Sequence, residues 1–290
     1  MDSDYEIQAR TIDKIIEKVG DLPSPPAILN KAIKLASDVD SKISEISNSI
    51  SSDQSISAKI LRMSNSPVFA RIQRVSSLQE AVKTLGFNQL KSIIITASTY
   101  QMFTDCGHGK IATQLWHHSF SSAIASRIIA QNLTTLDKEE AYLAGLLHDI
   151  GKLILLKITP RVYTKLIDSL DNISRLGFLA AERKELGFDH TEFGAALLSK
   201  WNLPQNIVAA VAGHHECKLN AAISSDQLVR VIALANIVSR YIGTDFCEPY
   251  EMPFEEKFYL GRNAIEGDRL IMIQSETESV FNIELSLLYN

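Results

Sequence analysis

Histidines are concentrated in one stretch of the chain, where their types and spacing could hold a metal ion. Six of the seven histidines fall between residues 117 and 215, and one of them precedes an aspartate directly. Neutral imidazole and carboxylate groups are the ligands that zinc, manganese and non-haem iron use in hydrolytic sites. The candidate metal ligands are His118, His148, Asp149, His190, His214 and His215.

Asp149 stands among apolar residues, including Leu147 and Ile150, where an unpaired carboxylate would be costly to bury. It therefore requires a partner, which could be a metal ion, a basic side chain or a helix N-terminus. Neighbouring side chains on a helix are about 100° and about 1.5 Å apart, so His148 and Asp149 could both reach one ion. The competing interpretation of any single histidine is a hydrogen-bonded core residue.

Lys152 follows His148 by about one helical turn and has two interpretations. It could face a phosphate group, or it could be a solvated lysine near a helix end. Asp149 and Lys152 are the candidate catalytic residues.

The elements that must position these residues are helices, since a helical period of apolar positions runs through nearly every long segment. We predict capping pairs at Asp137–Glu140 and Asp189–Glu192, the second with His190 in the first helical turn. Asp226 opens another helix. Ile93–Ala97 is rich in β-branched residues, so a strand is the alternative there, but we favour a helix because the apolar stretch continues without strand punctuation.

The N-terminal third is also predicted to be helical. Apolar stripes indicate helices within residues 7–19, 27–36 and 43–50, and Asp53 can cap a fourth helix. The segment Thr104–Gly109 is the best candidate for a domain boundary.

The motifs around these residues resemble a known family. The segment 144–152, Ala-Gly-Leu-Leu-His-Asp-Ile-Gly-Lys, is similar to the signature of the HD superfamily of metal-dependent phosphohydrolases. The wider pattern resembles the HDOD domain, the HD-related output domain of bacterial signalling proteins, over roughly residues 15–245. That pattern comprises Leu22-Pro23-x-x-Pro26, Asp53, Asn65-Ser66, Ala81-x-x-x-Leu85-Gly86, Trp116-x-His118-Ser119, Gly187-x-Asp189-His190, Trp201-Asn202-Leu203-Pro204 and Gly213-His214-His215-Glu216.

The resemblance implies an all-α, two-part helical bundle whose C-terminal half is an HD-like helical domain. We expect an N-terminal bundle over residues 1–105, an HD-like part over 106–245 and a C-terminal helical extension over 246–290. HD-GYP relatives place metal ligands where this chain has the six candidate residues.

Two positions depart from the pattern of active relatives. The final metal ligand in active HD enzymes is an aspartate, whereas this chain has Asn236, which offers a neutral carbonyl oxygen. The glycine-rich GYP segment is replaced by Cys217-Lys218-Leu219-Asn220. Both departures argue against hydrolysis of cyclic di-GMP and leave metal binding open.

The leading functional prediction is a bacterial signal-transduction module that is non-catalytic or weakly catalytic. It would act through contacts with signalling proteins, with a metal or a nucleotide or phosphate ligand in the His/Asp cleft. The alternative is a metal-dependent phosphohydrolase, acting on a nucleotide or cyclic dinucleotide with Fe, Mn or Zn.

Composition argues against several other classes. The net charge of −5, with no basic stripe, disfavours a nucleic-acid partner. No apolar run approaches the roughly 18 residues of a membrane helix, and the acidic start, Met1–Arg10, does not resemble a signal peptide. Three cysteines without a CxxC pair are typical of reduced thiols, so we expect a soluble, cytoplasmic protein.

Overall fold

The structure is a computed structural model that describes most of the chain. The described residues are 54–69, 74–168, 175–215, 226–244 and 265–289, with 20–25 and single positions at 15, 27, 29–30, 257, 260, 261 and 263. The helices expected within 7–19, 27–36 and 43–50 fall almost entirely outside these residues, as does Asp53.

Every regular element in the described ranges is a helix, which confirms the predicted all-α class. A short 3₁₀ turn covers Pro67–Phe69. The α-helices are α1 (Gln54–Ser64), α2 (Leu78–Leu85), α3 (Phe87–Thr104), α4 (Gly109–Leu133), α5 (Lys138–Leu147), α6 (Ile150–Ile158), α7 (Pro160–Asp168), α8 (Arg175–Leu186), α9 (His190–Lys200), α10 (Gln205–Gly213), α11 (Gln227–Tyr241) and α12 (Gly267–Tyr289).

Helix α4 is the centre of the bundle and contacts α3, α5, α11 and α12. It lies very close to α5, because Gly145 has no side chain. A Cβ at Gly145 would collide with Ser126 Oγ and lie 2.8 Å from the carbonyl oxygen of Ser122. This close approach allows side chains in the middle of α4 to meet those at the end of α5.

Helix α3 contains the β-rich run, so the helical prediction for Ile93–Ala97 is confirmed. The whole run is buried, and burial of its apolar surface outweighs the weak helix propensity of β-branched residues. Thr96 Oγ1 donates to the Ser92 carbonyl and Ser98 Oγ donates to the Ile94 carbonyl, each at a distance of 2.8 Å. Both buried hydroxyls therefore have a hydrogen-bond partner.

The predicted caps are confirmed at α9 but only in part at α5. Asp189 and Glu192 form a reciprocal capping box at the start of α9. Asp137 caps α5, but Glu140 does not complete a box with it. Glu140 accepts a hydrogen bond from Asn206 Nδ2 over 2.6 Å instead, because a partner on α10 is within reach of its side chain.

One hydrophobic cluster draws buried side chains from every described helix. Helix α12 packs along α4 and α1, and its Phe281 is buried. The division into 1–105, 106–245 and 246–290 stays a prediction. Within the described residues, no helix has the length and hydropathy needed to span a membrane.

A segment near the start of the chain is held at the C-terminal end of α9. Trp201 Nε1 donates to the Pro23 carbonyl over 2.8 Å, and Lys200 Nζ donates to the Leu22 carbonyl over 2.6 Å. Two distant motifs of the HDOD-like pattern therefore meet in space.

Candidate metal centre

His148 and Asp149 lie at the junction of two helices. Helix α5 ends at Leu147, and α6 begins at Ile150 with Asp149 as its N-cap residue. The two residues therefore do not lie within one continuous helix. The bend at Asp149, with φ −104° and ψ 15°, directs the two fully buried side chains toward the same cleft.

A glycine brings a third candidate ligand to this junction. A Cβ at Gly151 would overlap the carbonyl oxygen of His190 and lie 3.1 Å from the amide nitrogen of Gly194. The start of α6 can therefore touch the start of α9. As a result, His190 Nε2 lies 3.4 Å from Asp149 Oδ1.

One side of the Asp149 carboxylate faces the His118 pocket, which we define as His118, His148, Asn236 and Asp149 Oδ2. His118 Nε2 lies 3.3 Å from His148 Nε2 and 3.1 Å from Asn236 Oδ1. Asp149 Oδ2 lies 3.6 Å from His118 Nε2 and 3.4 Å from His148 Nε2. Helices α4 and α11 thus meet the α5–α6 junction here.

The other side faces the His190 pocket, which we define as His190, His214, His215 and Asp149 Oδ1. Asp149 Oδ1 lies 3.4 Å from the Nε2 atoms of both His190 and His214. His190 Nε2 lies 2.9 Å from His215 Nε2. The two pockets share Asp149, and all six predicted ligand side chains come together. Their role as ligands stays a prediction.

Backbone carbonyls fix the outer nitrogens of two histidine rings. His148 Nδ1 lies 2.7 Å from the Gly145 carbonyl, and His214 Nδ1 lies 2.6 Å from the Val211 carbonyl. A carbonyl only accepts, so both rings donate through Nδ1. In each neutral ring, Nε2 then presents a lone pair toward Asp149.

The protonation states reinforce this arrangement. Burial lowers the pKa of His148 to about 3 and that of His214 to about 4, so both rings are neutral at pH 7. Burial alone would raise the pKa of Asp149, but neighbouring positive charge, which includes the Lys152 ammonium, holds it well below its usual value. Lone pairs and a carboxylate therefore face one another, and this donor set fits zinc, manganese or iron.

Two buried residues support His190 from behind, and the sequence analysis missed both. Glu182 Oε2 lies 2.6 Å from His190 Nδ1, and Tyr163 donates to Glu182 Oε1 over 2.6 Å. Burial and the Glu182 carboxylate raise the pKa of Tyr163 well above its usual value, so it stays a donor. The available signal was an acid between Leu179 and Leu186 on the apolar face of α8. Such carboxylates orient metal-binding histidines.

Lys152 is the basic partner of Asp149. Its Nζ lies 2.6 Å from Asp149 Oδ2, and its side chain is 12% exposed. The interpretation of Lys152 as a solvated lysine is wrong, because Asp149 draws its ammonium into the protein. Whether Asp149 and Lys152 take part in catalysis stays a prediction.

The fold and the paired histidine pockets define the class of this protein as an HD-like helical domain with a candidate metal centre. The HDOD domain family matches residues 22–217, so the chain belongs to the HDOD family. An uncharacterized protein of Treponema pallidum (strain Nichols) is 26% identical over 254 residues, which are 85% of this chain and 48% of that protein. The chain thus spans about half the length of that curated relative.

Two solved structures share the fold. An HDOD domain protein of unknown function from Geobacter sulfurreducens has a TM-score of 0.75 at 24% identity, covering 98% of each chain. A proposed phosphohydrolase from Shewanella amazonensis SB2B has a TM-score of 0.72 at 22% identity, covering 95% of this chain and 97% of that one.

Proposed function

We propose that this protein is a regulatory module of bacterial signalling that is non-catalytic or weakly catalytic. It acts through contacts with partner proteins, with a metal or a small ligand in the cleft formed by the His118 and His190 pockets. Membership of the HDOD family supports this proposal, since that family is associated with signalling output. The observation that carries it is Asn236.

Asn236 supplies the His118 pocket with an amide where active relatives supply a carboxylate. Its Oδ1 lies 3.1 Å from His118 Nε2, so the amide occupies the position of a fourth ligand without bringing a negative charge. A metal bound in such a centre supplies Lewis acidity and lowers the pKa of water. The neutral amide weakens the hold on an ion there, so we expect the activation of water to be poor.

The other residues of the cleft have positioning roles. Asp149 lies between the pockets and offers one oxygen to each. Lys152 restrains the Asp149 carboxylate, and Glu182 fixes the orientation of the His190 ring. These contacts make a preorganised ligand cleft without requiring turnover.

The test is a hydrolysis assay on the purified protein. We expect no turnover of bis(p-nitrophenyl) phosphate or cyclic di-GMP above the metal-only background, with Mn²⁺, Fe²⁺ or Zn²⁺ added. Metal-dependent turnover at about 1 s⁻¹ or faster, the ordinary range of enzymes, that His148→Ala abolishes would contradict the regulatory proposal. His117→Ala is the matched control, because His117 is adjacent to His118 but lies 2.9 Å from the Tyr289 hydroxyl, outside the cleft.

A second candidate is a metal-dependent phosphohydrolase acting on a nucleotide or cyclic dinucleotide. It is favoured by the shared carboxylate, since two-metal hydrolases place adjacent ions around one activated water. The proposed phosphohydrolase from Shewanella amazonensis has the same fold. In this case Lys152 would face a substrate phosphate. Turnover by the unmodified protein, with loss of kcat in Lys152→Met, would favour this candidate.

We also propose a cytoplasmic location, from the cysteine pattern and the absence of a membrane-spanning helix in the described residues. A nucleic-acid partner remains disfavoured by the net charge of −5.

A further inference from the structure

We propose that this protein takes a single divalent metal ion, in the His190 pocket, and that Lys152 and Asn236 keep the His118 pocket free of metal. The inference rests on the metal binding included in the proposed function. It goes further, because it assigns the two halves of the cleft different occupants.

Ligand spacing alone does not distinguish the two pockets. A tetrahedral zinc ion with bonds of about 2.0–2.1 Å has ligand atoms roughly 3.3 Å apart. The shortest separations run from 3.1 to 3.6 Å in the His118 pocket and from 2.9 to 3.4 Å in the His190 pocket, and the ligand atoms of each His/Asp group all lie within 4.8 Å of one another. Both pockets are the right size for an ion, so a difference in metal affinity must come from their charges.

The His118 pocket already contains its own cation. Lys152 Nζ lies 2.6 Å from Asp149 Oδ2, the carboxylate oxygen that faces this pocket. Asn236 adds no negative charge, so the formal charges of Asp149 and Lys152 cancel here, whereas the Glu182 carboxylate adds a further negative charge beside the His190 pocket. A divalent ion would have to approach the Lys152 ammonium or displace it, with two imidazoles and an amide as its other ligands.

The His190 pocket has the stronger donor set. It contributes three imidazole nitrogens and Asp149 Oδ1, an oxygen that has no hydrogen-bond partner among the described residues, whereas Lys152 Nζ lies 2.6 Å from Oδ2. The buried Glu182 carboxylate lies 2.6 Å from His190 Nδ1 and makes that ring a stronger donor. His215 is partly exposed, so an ion can reach this pocket from solvent. Three imidazoles and one oxygen match a zinc site.

The test is the metal content of the full chain after loading with Zn²⁺ and removal of free metal. We expect one zinc per unmodified chain, one in His118→Ala and none in His190→Ala. The double variant Lys152→Met/Asn236→Asp is expected to hold two zinc ions, because it removes the internal cation and restores a carboxylate. The matched double variant Lys157→Met/Asn132→Asp changes an exposed lysine and an exposed asparagine away from the cleft, and should hold one.

Several results would overturn the inference. These are two ions or none in the unmodified chain, one ion in the cleft double variant, or an ion retained in His190→Ala but lost in His118→Ala. If circular dichroism shows that the cleft double variant is unfolded, Co²⁺ binding to the two single variants tests the inference instead. The visible absorption of tetrahedral Co²⁺ should then survive in His118→Ala and vanish in His190→Ala, and the reverse pattern would contradict the proposal.

The failure of this inference is distinguishable from the failure of the proposed function. Hydrolytic turnover at about 1 s⁻¹ or faster with one bound ion would contradict the regulatory role and leave the inference intact. A second ion in the unmodified chain without turnover would contradict the inference and leave the regulatory role intact.

Discussion

Glu182 controls how strongly His190 can donate to an ion, since its carboxylate contacts the outer nitrogen of that ring. We predict that Glu182→Gln weakens Zn²⁺ affinity by about 10- to 100-fold, because the amide holds the ring but lacks the charge that raises its basicity. Competition with a chromogenic zinc chelator measures this change.

The matched control is Glu185→Gln, which removes an exposed carboxylate from the same helix. Its zinc affinity should equal that of the unmodified chain, and Glu182→Asp should recover part of the loss. Equal affinities for Glu182→Gln and the unmodified chain would mean that Glu182 serves folding only.

The role of an individual residue can be predicted from the sequence where that residue stands in a recognisable motif. The candidate ligands could be assigned because His148–Asp149 and His214–His215 are adjacent pairs in recognisable patterns. The sequence did not identify the partner of Asp149, because Lys152, three residues later, could serve several roles. Glu182 could not be assigned to His190, because the contact depends on how α8 turns back onto α9.

Gly151 determines how closely α6 approaches α9. We predict that Gly151→Ala lowers the free energy of unfolding by about 1–3 kcal/mol, since the added methyl group meets the backbone carbonyl of His190, which cannot yield as a flexible side chain would. The same displacement should reduce Zn²⁺ affinity, because it moves His190 away from Asp149. Urea denaturation and zinc titration measure the two effects.

Gly194→Ala, at the same helix contact, tests this explanation. Its Cβ would lie 3.2 Å from Val211 Cγ1, a side-chain atom that can move. We expect a smaller loss of stability and little change in zinc affinity. A larger loss in Gly194→Ala than in Gly151→Ala would contradict the backbone explanation.

Helices were predictable from apolar periodicity and caps, but their junctions were not. No proline or glycine turn in the sequence indicates the bend at Asp149. The nearby Gly151 permits close contact with another helix and does not form a turn. Glu140 has the spacing of a capping residue, and only the position of Asn206 on α10 redirects it. Local pattern therefore specifies elements, whereas packing specifies how they meet.

The C-terminal helix joins the rest of the molecule through a buried acidic side chain. Glu284 on α12 is 1% exposed, and burial raises its pKa to about 7, opposed by Arg127 and reinforced by Glu139. Arg127 is itself paired with Glu139 over 2.8 Å. Docking of α12 therefore favours the protonated form of Glu284.

This raised pKa predicts a pH-dependent stability. The contribution of Glu284 is fully present below its ordinary pKa of 4.5 and is lost as pH rises through about 7, amounting to about 3 kcal/mol at most. Glu284→Gln should unfold at higher urea concentration than the unmodified chain at pH 8 and at a similar concentration at pH 4.5. Taking the difference between the two chains at each pH removes the opposite trend from the buried histidines.

Glu278→Gln is the control, because Glu278 is an exposed acid on the same helix. It should leave the difference between pH 4.5 and pH 8 unchanged. A stability difference for Glu284→Gln that does not vary with pH would show that Glu284 is ionised throughout.

The all-α class followed from the sequence, but the place of α12 did not. Its amphipathic pattern predicts a helix, yet many surfaces of the bundle could receive it. Contacts with α4 and α1, which both lie far earlier in the chain, decide the position. Such long-range choices depend on the shape of the assembled core.

Helix α9 connects two remote parts of the molecule. It begins at His190 in the cleft and ends at Lys200. The side chains of Lys200 and of the next residue, Trp201, bind the backbone of residues 22–23. An eleven-residue helix is a stiff rod of about 16 Å, so its two ends move together. Any tilt or rotation of α9 at its His190 end would therefore also move the segment around residues 22–23 that is bound at its other end.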